Sequence, residues 1–217
     1  GIGQSGRSWQ ASPGANLTLS LVVYPSFLAA TEGWLLNSWM AVAVLKTLKQ
    51  YVHTLLAGAS GFSPIELCIK WPNDLLARVS TPGCERRWQK VAGMLTQTEI
   101  SGQRLKSAVV SLGLNVNEAA FPAELERTAS SLRRLTQTPH DRAAILAPLL
   151  QQLEALYPQL QFGGRHRLRT LYEANLYRFQ AWGQYQDLQT GDFFEARLES
   201  IDNTGRLVLE LTGGRRT

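Results

Sequence analysis

Residues 69–76, with the sequence IKWPNDLL, constrain the fold more than any other part of this chain. Apolar residues occupy every second position of 65–69, the pattern of a half-buried β-strand. Pro72 then ends the pairing, because proline has no N–H to donate. The asparagine after it and Asp74 are residue types that favour a turn. Taken alone, the stretch predicts a strand that ends in a Pro-Asn-Asp turn, with Trp71 in the core.

The size and charge of the chain limit its function classes. Its 217 residues suffice for one ordinary domain and a small second one, and 44% hydrophobic residues are enough for a packed core. A formal charge of +5 permits a nucleic-acid partner, but the basic residues are scattered along the chain. A phosphate-bearing small ligand or an acidic protein partner fits the charge equally well, and DNA is not indicated.

Cysteine usage and hydropathy favour the cytoplasm. Cys68 and Cys84 have neither metal-ligand spacing nor the density of a disulfide-stapled protein. No apolar run approaches the length of a membrane span, so no membrane association is expected. The three histidines have no partners at ligand spacing, and we interpret them as structural or solvent-facing.

The first nine residues form a glycine-rich segment. Gly1, Gly3 and Gly6 allow backbone N–H groups to approach an anion closely. Arg7 can bind a phosphate or carboxylate through its planar guanidinium, and Trp9 offers a flat face for a ring. No Gly-Lys-Ser/Thr follows, so this is not a Walker loop. A flexible terminus would have the same composition, and the segment alone does not decide between the two.

The order of the motifs carries a family resemblance. Residues 70–74 resemble the KWPND signature of the biotin–protein ligases, and residues 1–9 resemble that family's GRGxxGRxW loop, which wraps biotin and the adenylate. Residues 90–95, KVAGML, resemble its KxxGIL step. Residues 111–117, SLGLNVN, resemble its GxGxNVN step. The resemblance extends over nearly the whole chain.

The resemblance also implies a set of site residues. Lys90 and Arg7 would be catalytic, and Asp74 would hold Mg²⁺. Asn115 would read an adenine edge with its amide. The full set implied to bind biotin and the adenylate is Gly1, Gly3, Gln4, Gly6, Trp9, Lys70, Gly93, Leu95, Gly113 and Asn115.

Two departures and two alternatives accompany these assignments. Ile2 stands where the family usually has arginine, and Ser111 replaces the first glycine of the GxGxNVN step, which predicts a narrower pocket floor. Lys90 could instead be an edge-strand lysine that discourages aggregation, with Gly93 as a bulge. Residues 111–117 could be a simple turn with two asparagines.

Periodicity predicts the elements, and the resemblance predicts their arrangement. Strands are expected at 17–24, 65–70, 75–79, 87–99 and 106–114, helices at 31–52, 141–157 and 165–179, and strands again from 182 onward. The implied fold class is α+β. Residues 1–178 would form a mixed β-sheet flanked by helices, similar to class II aminoacyl-tRNA synthetases, without its first strand. Residues 179–217 would form a small SH3-like barrel without its last strand.

The activity implied by the resemblance is that of a biotin–[acetyl-CoA-carboxylase] ligase. Such an enzyme activates biotin with Mg-ATP to biotinoyl-5′-AMP and passes biotin to one lysine of a biotin carboxyl carrier protein. ATP, Mg²⁺ and biotin are the expected ligands, and the carrier protein of acetyl-CoA carboxylase is the expected partner. Two alternatives remain open: a lipoate or octanoate ligase of the same fold, and a non-enzymatic biotin-sensing regulator.

Overall fold

The computed structural model describes residues 9, 11–57, 64–79, 87–161 and 163–214. Most of the glycine-rich segment, and Cys84, lie outside these residues. No helix in the described part of the chain combines the length and apolar character that a membrane span requires.

A five-stranded sheet forms the centre of the larger part. Its strands are β1 (Leu17–Val23), β2 (Ile65–Lys70), β3 (Asp74–Val79), β4 (Gln89–Ser101) and β5 (Arg104–Leu114). They lie in the order β1-β5-β4-β3-β2, and every ladder between them is antiparallel. The α+β class is confirmed, whereas the expected mixed sheet is wrong for the described strands, because parallel pairing occurs there only in isolated bridges.

Four α-helices in the described residues accompany this sheet. They are α1 (Trp34–Leu56), α2 (Leu132–Thr136), α3 (Arg142–Leu156) and α4 (Arg165–Glu173), with short 3-10 turns at Ala30–Glu32 and Tyr157–Leu160. Helix α1 packs against the sheet on one side and against α3 and α4 on the other. Helix α1 is therefore buried on several faces, whereas an amphipathic helix buries only one. Helix α3 contains Pro148, and α4 ends at Glu173, earlier than the periodicity predicts.

A second, smaller sheet follows α4. Its strands β6 (Trp182–Gln186), β7 (Phe193–Ile201) and β8 (Leu207–Leu211) are antiparallel in that order. The alternation predicted for β7 and β8 is confirmed, since Ala196, Leu198 and Leu209 are buried. The division at residue 178 and the barrel class remain predictions.

His140 is held in a buried polar cluster beside α1 and α2. Only 7% of its surface is exposed. Its Nδ1 lies 3.1 Å from the Tyr51 hydroxyl, and its Nε2 lies 2.7 Å from Thr136 Oγ1. The Asn117 side chain pairs with both backbone groups of His140, which fixes the segment before α3. Burial lowers the pKa of His140.

This pKa shift predicts a loss of stability in mild acid. Because the folded chain binds the His140 proton more weakly than the unfolded chain, the free energy of unfolding should fall as the pH drops below about 6.5. Urea denaturation at pH 7.5 and 5.5 measures the difference. His140→Gln should remove part of it, whereas His53→Gln, at an exposed position of α1, should leave it intact. If the free energy of unfolding of His140→Gln fell with pH as much as that of the wild type, His140 would not be the source of the acid sensitivity.

Candidate active site

A cavity of about 410 Å³ opens on the face of the large sheet that α1 does not cover. Strands β1, β4 and β5 form its floor, and the Trp9 ring lies over Gly113 of that floor. Even-numbered β5 residues from Ala108 to Leu114 are buried, so the odd-numbered ones face this cavity. Its lining comprises Trp9, Thr18, Leu19, Ser20, Asn73, Lys90, Gly93, Met94, Leu95, Gln97, Val109, Ser111, Leu112 and Gly113.

A β-bulge in β4 sends Lys90 into this cavity. Leu75 of β3 pairs with Ala92, but Leu76 pairs with Lys90, so Val91 is the extra residue on β4. In a regular strand, residues 90 and 93 would point to opposite faces, because side chains alternate with a period of two. The bulge places Lys90 on the cavity face with Gly93, and both Val91 and Ala92 are buried.

The Lys90 ammonium is surrounded by specific contacts. It forms an ion pair with Asp74 at 2.6 Å, in which the two side chains are 35% and 23% exposed. It also lies 5.8 Å from the centre of the Trp9 ring, within the range of a cation–π contact. Leu76 pairs with Lys90 on one side of the strand and Ala129 bridges it on the other. The interpretation of Lys90 as an edge-strand lysine is therefore wrong.

Two glycines make the cavity floor flat beneath Trp9. Asp74, Gly93, Gly113 and Thr18 lie in one row across β3, β4, β5 and β1. A Cβ on Gly113 would come within 2.5 Å of the Trp9 ring, and one on Gly93 would come within 3.0 Å of Lys90. Glycine is thus required at Gly113 for the indole to reach the sheet.

The Pro-Asn-Asp turn is tied to its neighbours through its backbone. The Pro72 carbonyl accepts hydrogen bonds from Asn37 Nδ2 at 2.5 Å and from the Tyr172 hydroxyl at 3.1 Å. Asn73 donates through Nδ2 to the Met94 carbonyl, and the Met94 N–H donates back to the Asn73 carbonyl. These bonds dock the turn onto β4, which places Asp74 beside Lys90.

A model of the biotin/lipoate A/B protein ligase family matches residues 1–117. The chain belongs to this family. It is 30% identical to biotin–[acetyl-CoA-carboxylase] ligase of Mycobacterium tuberculosis, with 98% of this chain and 70% of that protein covered. It is 28% identical to the bifunctional ligase/repressor BirA of Bacillus subtilis, with 99% of this chain covered. The chain spans 59% of the length of that bifunctional relative.

Solved structures of biotin protein ligases have the same fold. The ligase from Aquifex aeolicus, determined in complex with biotin and ATP, superimposes with a TM-score of 0.71 at 19% identity. That comparison covers 100% of this chain and 80% of the other. At this level of identity the likeness establishes the fold.

Some of the predicted site residues of this ligase-family chain line the cavity, and others do not. Trp9, Lys90, Gly93, Leu95 and Gly113 all line the cavity. The remaining glycine-loop positions, Gly1, Gly3, Gln4, Gly6 and Arg7, lie outside the described residues, as does Ile2.

Three predicted site residues do not line the cavity. Asp74 forms an ion pair with Lys90, which does line the cavity. Lys70 is exposed and pairs with Asp74 across β2 and β3. Asn115 is only 4% exposed, and its Nδ2 donates to the Ser130 carbonyl at 3.0 Å. Asn115 therefore joins β5 to the 128–131 segment, and its contact with adenine remains a prediction.

Sequence reasoning did not identify several polar residues of the site. Thr18, Ser20 and Gln97 line the cavity, and the Ser20 and Ser111 hydroxyls lie 2.8 Å apart on its floor. A signal was present in β1, because Thr18 and Ser20 alternate there with less exposed leucines. The narrower floor expected from Ser111 remains a prediction.

Glu118 was also missed. Its carboxylate accepts hydrogen bonds from the Ser12 N–H at 3.0 Å, the Ser12 hydroxyl at 2.6 Å and Asn16 Nδ2 at 2.7 Å. Burial acts to raise the pKa of Glu118, but these hydrogen bonds outweigh it and the pKa is lowered. Glu118 therefore holds the turn that leads from the glycine-rich segment into β1. Its partner Ser12 lies 106 residues away along the chain, so no local pattern could reveal the contact.

The Asp74 carboxylate, which pairs with the cavity residue Lys90, suits a metal ion that binds together with a nucleotide. Among the described residues, no group of three or more His, Cys, Asp or Glu side chains could form a closed metal site. Mg²⁺ in nucleotide sites commonly uses one or two carboxylates together with phosphate oxygens. Asp74 fits that role.

Cys68 does not suit nucleophilic chemistry, since burial raises the pKa of its thiol to about 12.

Proposed function

We propose that this chain activates biotin with Mg-ATP to biotinoyl-5′-AMP and transfers the biotinoyl group to a lysine of a biotin carboxyl carrier protein. The observation that carries the proposal is the Lys90–Asp74 pair at the edge of a cavity floored by Gly93 and Gly113. Membership of the ligase family and the names of the curated relatives support it.

The chemistry of the first step matches these residues. A biotin carboxylate oxygen attacks the α-phosphorus of ATP, the bond to the β-phosphate oxygen breaks, and pyrophosphate leaves. Two anions meet in this step, so positive groups and positioning are the main requirements. Lys90 supplies an ammonium on the cavity face, and Arg7 would supply a second cation. When bound, Mg²⁺ offsets phosphate charge, and Asp74 is the residue that would hold it.

The second step needs no nucleophile from this chain. The carrier lysine, as a neutral amine, attacks the acyl carbon of the mixed anhydride, the acyl–oxygen bond breaks and AMP leaves. Trp9 lies over the cavity floor, where its ring would cover the acyl chain and limit the access of water.

The finer points of architecture and location belong to the same proposal. We place the catalytic part at residues 1–178, with a topology like class II aminoacyl-tRNA synthetases, and an SH3-like barrel at 179–217. The change from helices to a small antiparallel sheet between α4 and β6 supports this division. A cytoplasmic location rests on the low number of cysteines.

A thermal-shift experiment tests ligand choice. Biotin with Mg-ATP should raise the melting temperature well above either ligand alone, because the tightly bound adenylate stabilises the folded state by mass action. At 100-fold saturation the expected gain is roughly 5–10 °C. The same measurement with lipoate and Mg-ATP is the comparison, since the family includes lipoate ligases. A shift with lipoate and none with biotin would overturn the biotin assignment. ATP–pyrophosphate exchange with each acid provides the activity readout.

A further inference from the structure

The small sheet contacts the larger part of the chain through two indole groups. Residues 202–205, the tight turn between β7 and β8, present two backbone carbonyls to the larger part of the chain. Trp71 Nε1 donates to the Gly205 carbonyl at 2.9 Å, and Trp34 Nε1 donates to the Asn203 carbonyl at 3.1 Å. Trp71 immediately precedes the Pro-Asn-Asp turn, whereas Trp34 begins α1.

The 202–205 turn is itself rigidly built. Asp202 Oδ1 accepts hydrogen bonds from the Thr204 N–H, the Thr204 hydroxyl and the Arg206 N–H at 2.7, 2.8 and 2.9 Å. Gly205 has φ +90°, and a Cβ there would lie 2.5 Å from Trp34. Only glycine allows both this backbone conformation and this contact.

Helix α4 anchors the 202–205 turn from a third side. Arg169 Nη1 donates to Asn203 Oδ1 at 3.1 Å, and the same guanidinium donates to the Ile201 carbonyl. Glu173 accepts a hydrogen bond from the Ile201 N–H at 2.8 Å and pairs with Arg169. The turn is therefore a fixed point against which Trp71 can be positioned.

The hydrogen bond to the Gly205 carbonyl ties the Trp71 ring to the 202–205 turn. It is 37% exposed, so the sequence-based expectation of a core tryptophan is wrong. A cavity of about 250 Å³ lies beneath it, lined by Trp34, Trp71, Tyr172 and Gly205 among others. Replacing the indole would remove the hydrogen bond that ties the Trp71 ring to the 202–205 turn.

The connection continues from Trp71 to the candidate catalytic pair. Only Pro72 and Asn73 lie between Trp71 and Asp74, and both are bound through their carbonyls, Asn73 also through its side-chain amide. Asp74 then holds Lys90 at 2.6 Å. A shift of Trp71 would be transmitted along this short, tethered segment to the ion pair.

We propose that Trp71 is a positioning residue through which the 202–205 turn sets the geometry of the Asp74–Lys90 pair. The small sheet then contributes to adenylation without touching substrate. The proposal rests on the proposed function for its kinetic consequence, but the geometry of the pair can be tested without any substrate.

The first experiment compares two substitutions that each remove one indole N–H from the same turn. In Trp71→Phe, formation of biotinoyl-adenylate in single turnover should slow by up to about tenfold, while biotin affinity without ATP stays nearly constant. In Trp34→Phe, the matched control, the rate should remain near wild type, because Trp34 does not lead to Asp74. Circular dichroism checks folding, and Trp71→Tyr is a second variant without the indole N–H.

A double-mutant cycle separates positioning from general loosening. If Trp71 acts through the ion pair, Trp71→Phe should have no further effect on the rate in a Lys90→Ala background. Equal slowing by Trp71→Phe and Trp34→Phe, or additive slowing with Lys90→Ala, would overturn the proposal.

Lysine labelling provides the readout that does not depend on activity. Lys90 is shielded by Asp74, so brief acetic anhydride treatment and mass spectrometry should show several-fold faster labelling of Lys90 in Trp71→Phe only. Lys106, paired with Glu99, is the internal reference. Unchanged Lys90 labelling in Trp71→Phe would contradict the positioning role even if biotin proved not to be the substrate. Wild-type protein inactive with biotin would instead contradict the proposed function.

Discussion

Replacing Lys90 by alanine is expected to slow the formation of biotinoyl-adenylate by about 10²–10³-fold. The ammonium lies on the cavity face, 2.6 Å from Asp74, where the carboxylate of biotin and the α-phosphate would meet. Charge gathers there most strongly in the transition state, so the rate should fall more than substrate affinity. Lys90→Arg should recover only part of the rate, because a planar guanidinium cannot reproduce the position of a compact ammonium.

Single-turnover measurement of the adenylate, with circular dichroism as the folding control, tests this expectation. Lys106→Ala is the matched control, since Lys106 lies in the same sheet and also pairs with a carboxylate, that of Glu99, at 2.7 Å. That pair is more exposed, with side chains 61% and 55% accessible, and lies outside the cavity lining. A folded Lys90→Ala protein with a rate like that of Lys106→Ala would remove the catalytic assignment.

Asp74→Asn is expected to weaken ATP binding and to slow adenylation on the order of 10²-fold, with biotin affinity nearly unchanged. The substitution keeps the size of the side chain but removes the charge that would hold Mg²⁺ and that orients Lys90. Biotin alone does not require the metal, so its binding should be the least affected step.

Calorimetric titration with biotin and with Mg-ATP separates these effects. Glu99→Gln, which neutralises the partner of Lys106, is the matched control and should leave both affinities intact. Equal loss of biotin and ATP binding in Asp74→Asn would identify Asp74 as a structural turn residue, the interpretation that local sequence alone favours.

The elements of the fold were largely predictable from local patterns. Alternation of apolar residues predicted β5 at 106–114, and the strand observed is Arg104–Leu114. The apolar periodicity of α1 was equally clear, but the burial of its other faces was not, because that depends on helices α3 and α4 packing against it from distant parts of the chain. Local alternation records which face of one element is apolar, but it does not record what covers the other face.

Five residues predicted from the motifs line the cavity, but the motifs do not show how these residues meet. A spacing of three between Lys90 and Gly93 would place them on opposite faces of a regular strand, and only the bulge at Val91 brings them together. Asn115, in a motif of equal apparent weight, is turned away and bound to the 128–131 segment. A bulge arises from the pairing register with a neighbouring strand, which local sequence does not specify.

The sequence by itself determined the residue types of the site: a lysine, an aspartate and two glycines in a fixed order along the chain. The tertiary structure alone decided that the aspartate and the two glycines form one row with the lysine beside it. It also decided that Trp71 binds the Gly205 carbonyl, 134 residues away, instead of entering the core. Contacts of this length depend on the relative placement of the two sheets. That placement is set by packing and hydrogen bonding between them, which no local pattern encodes.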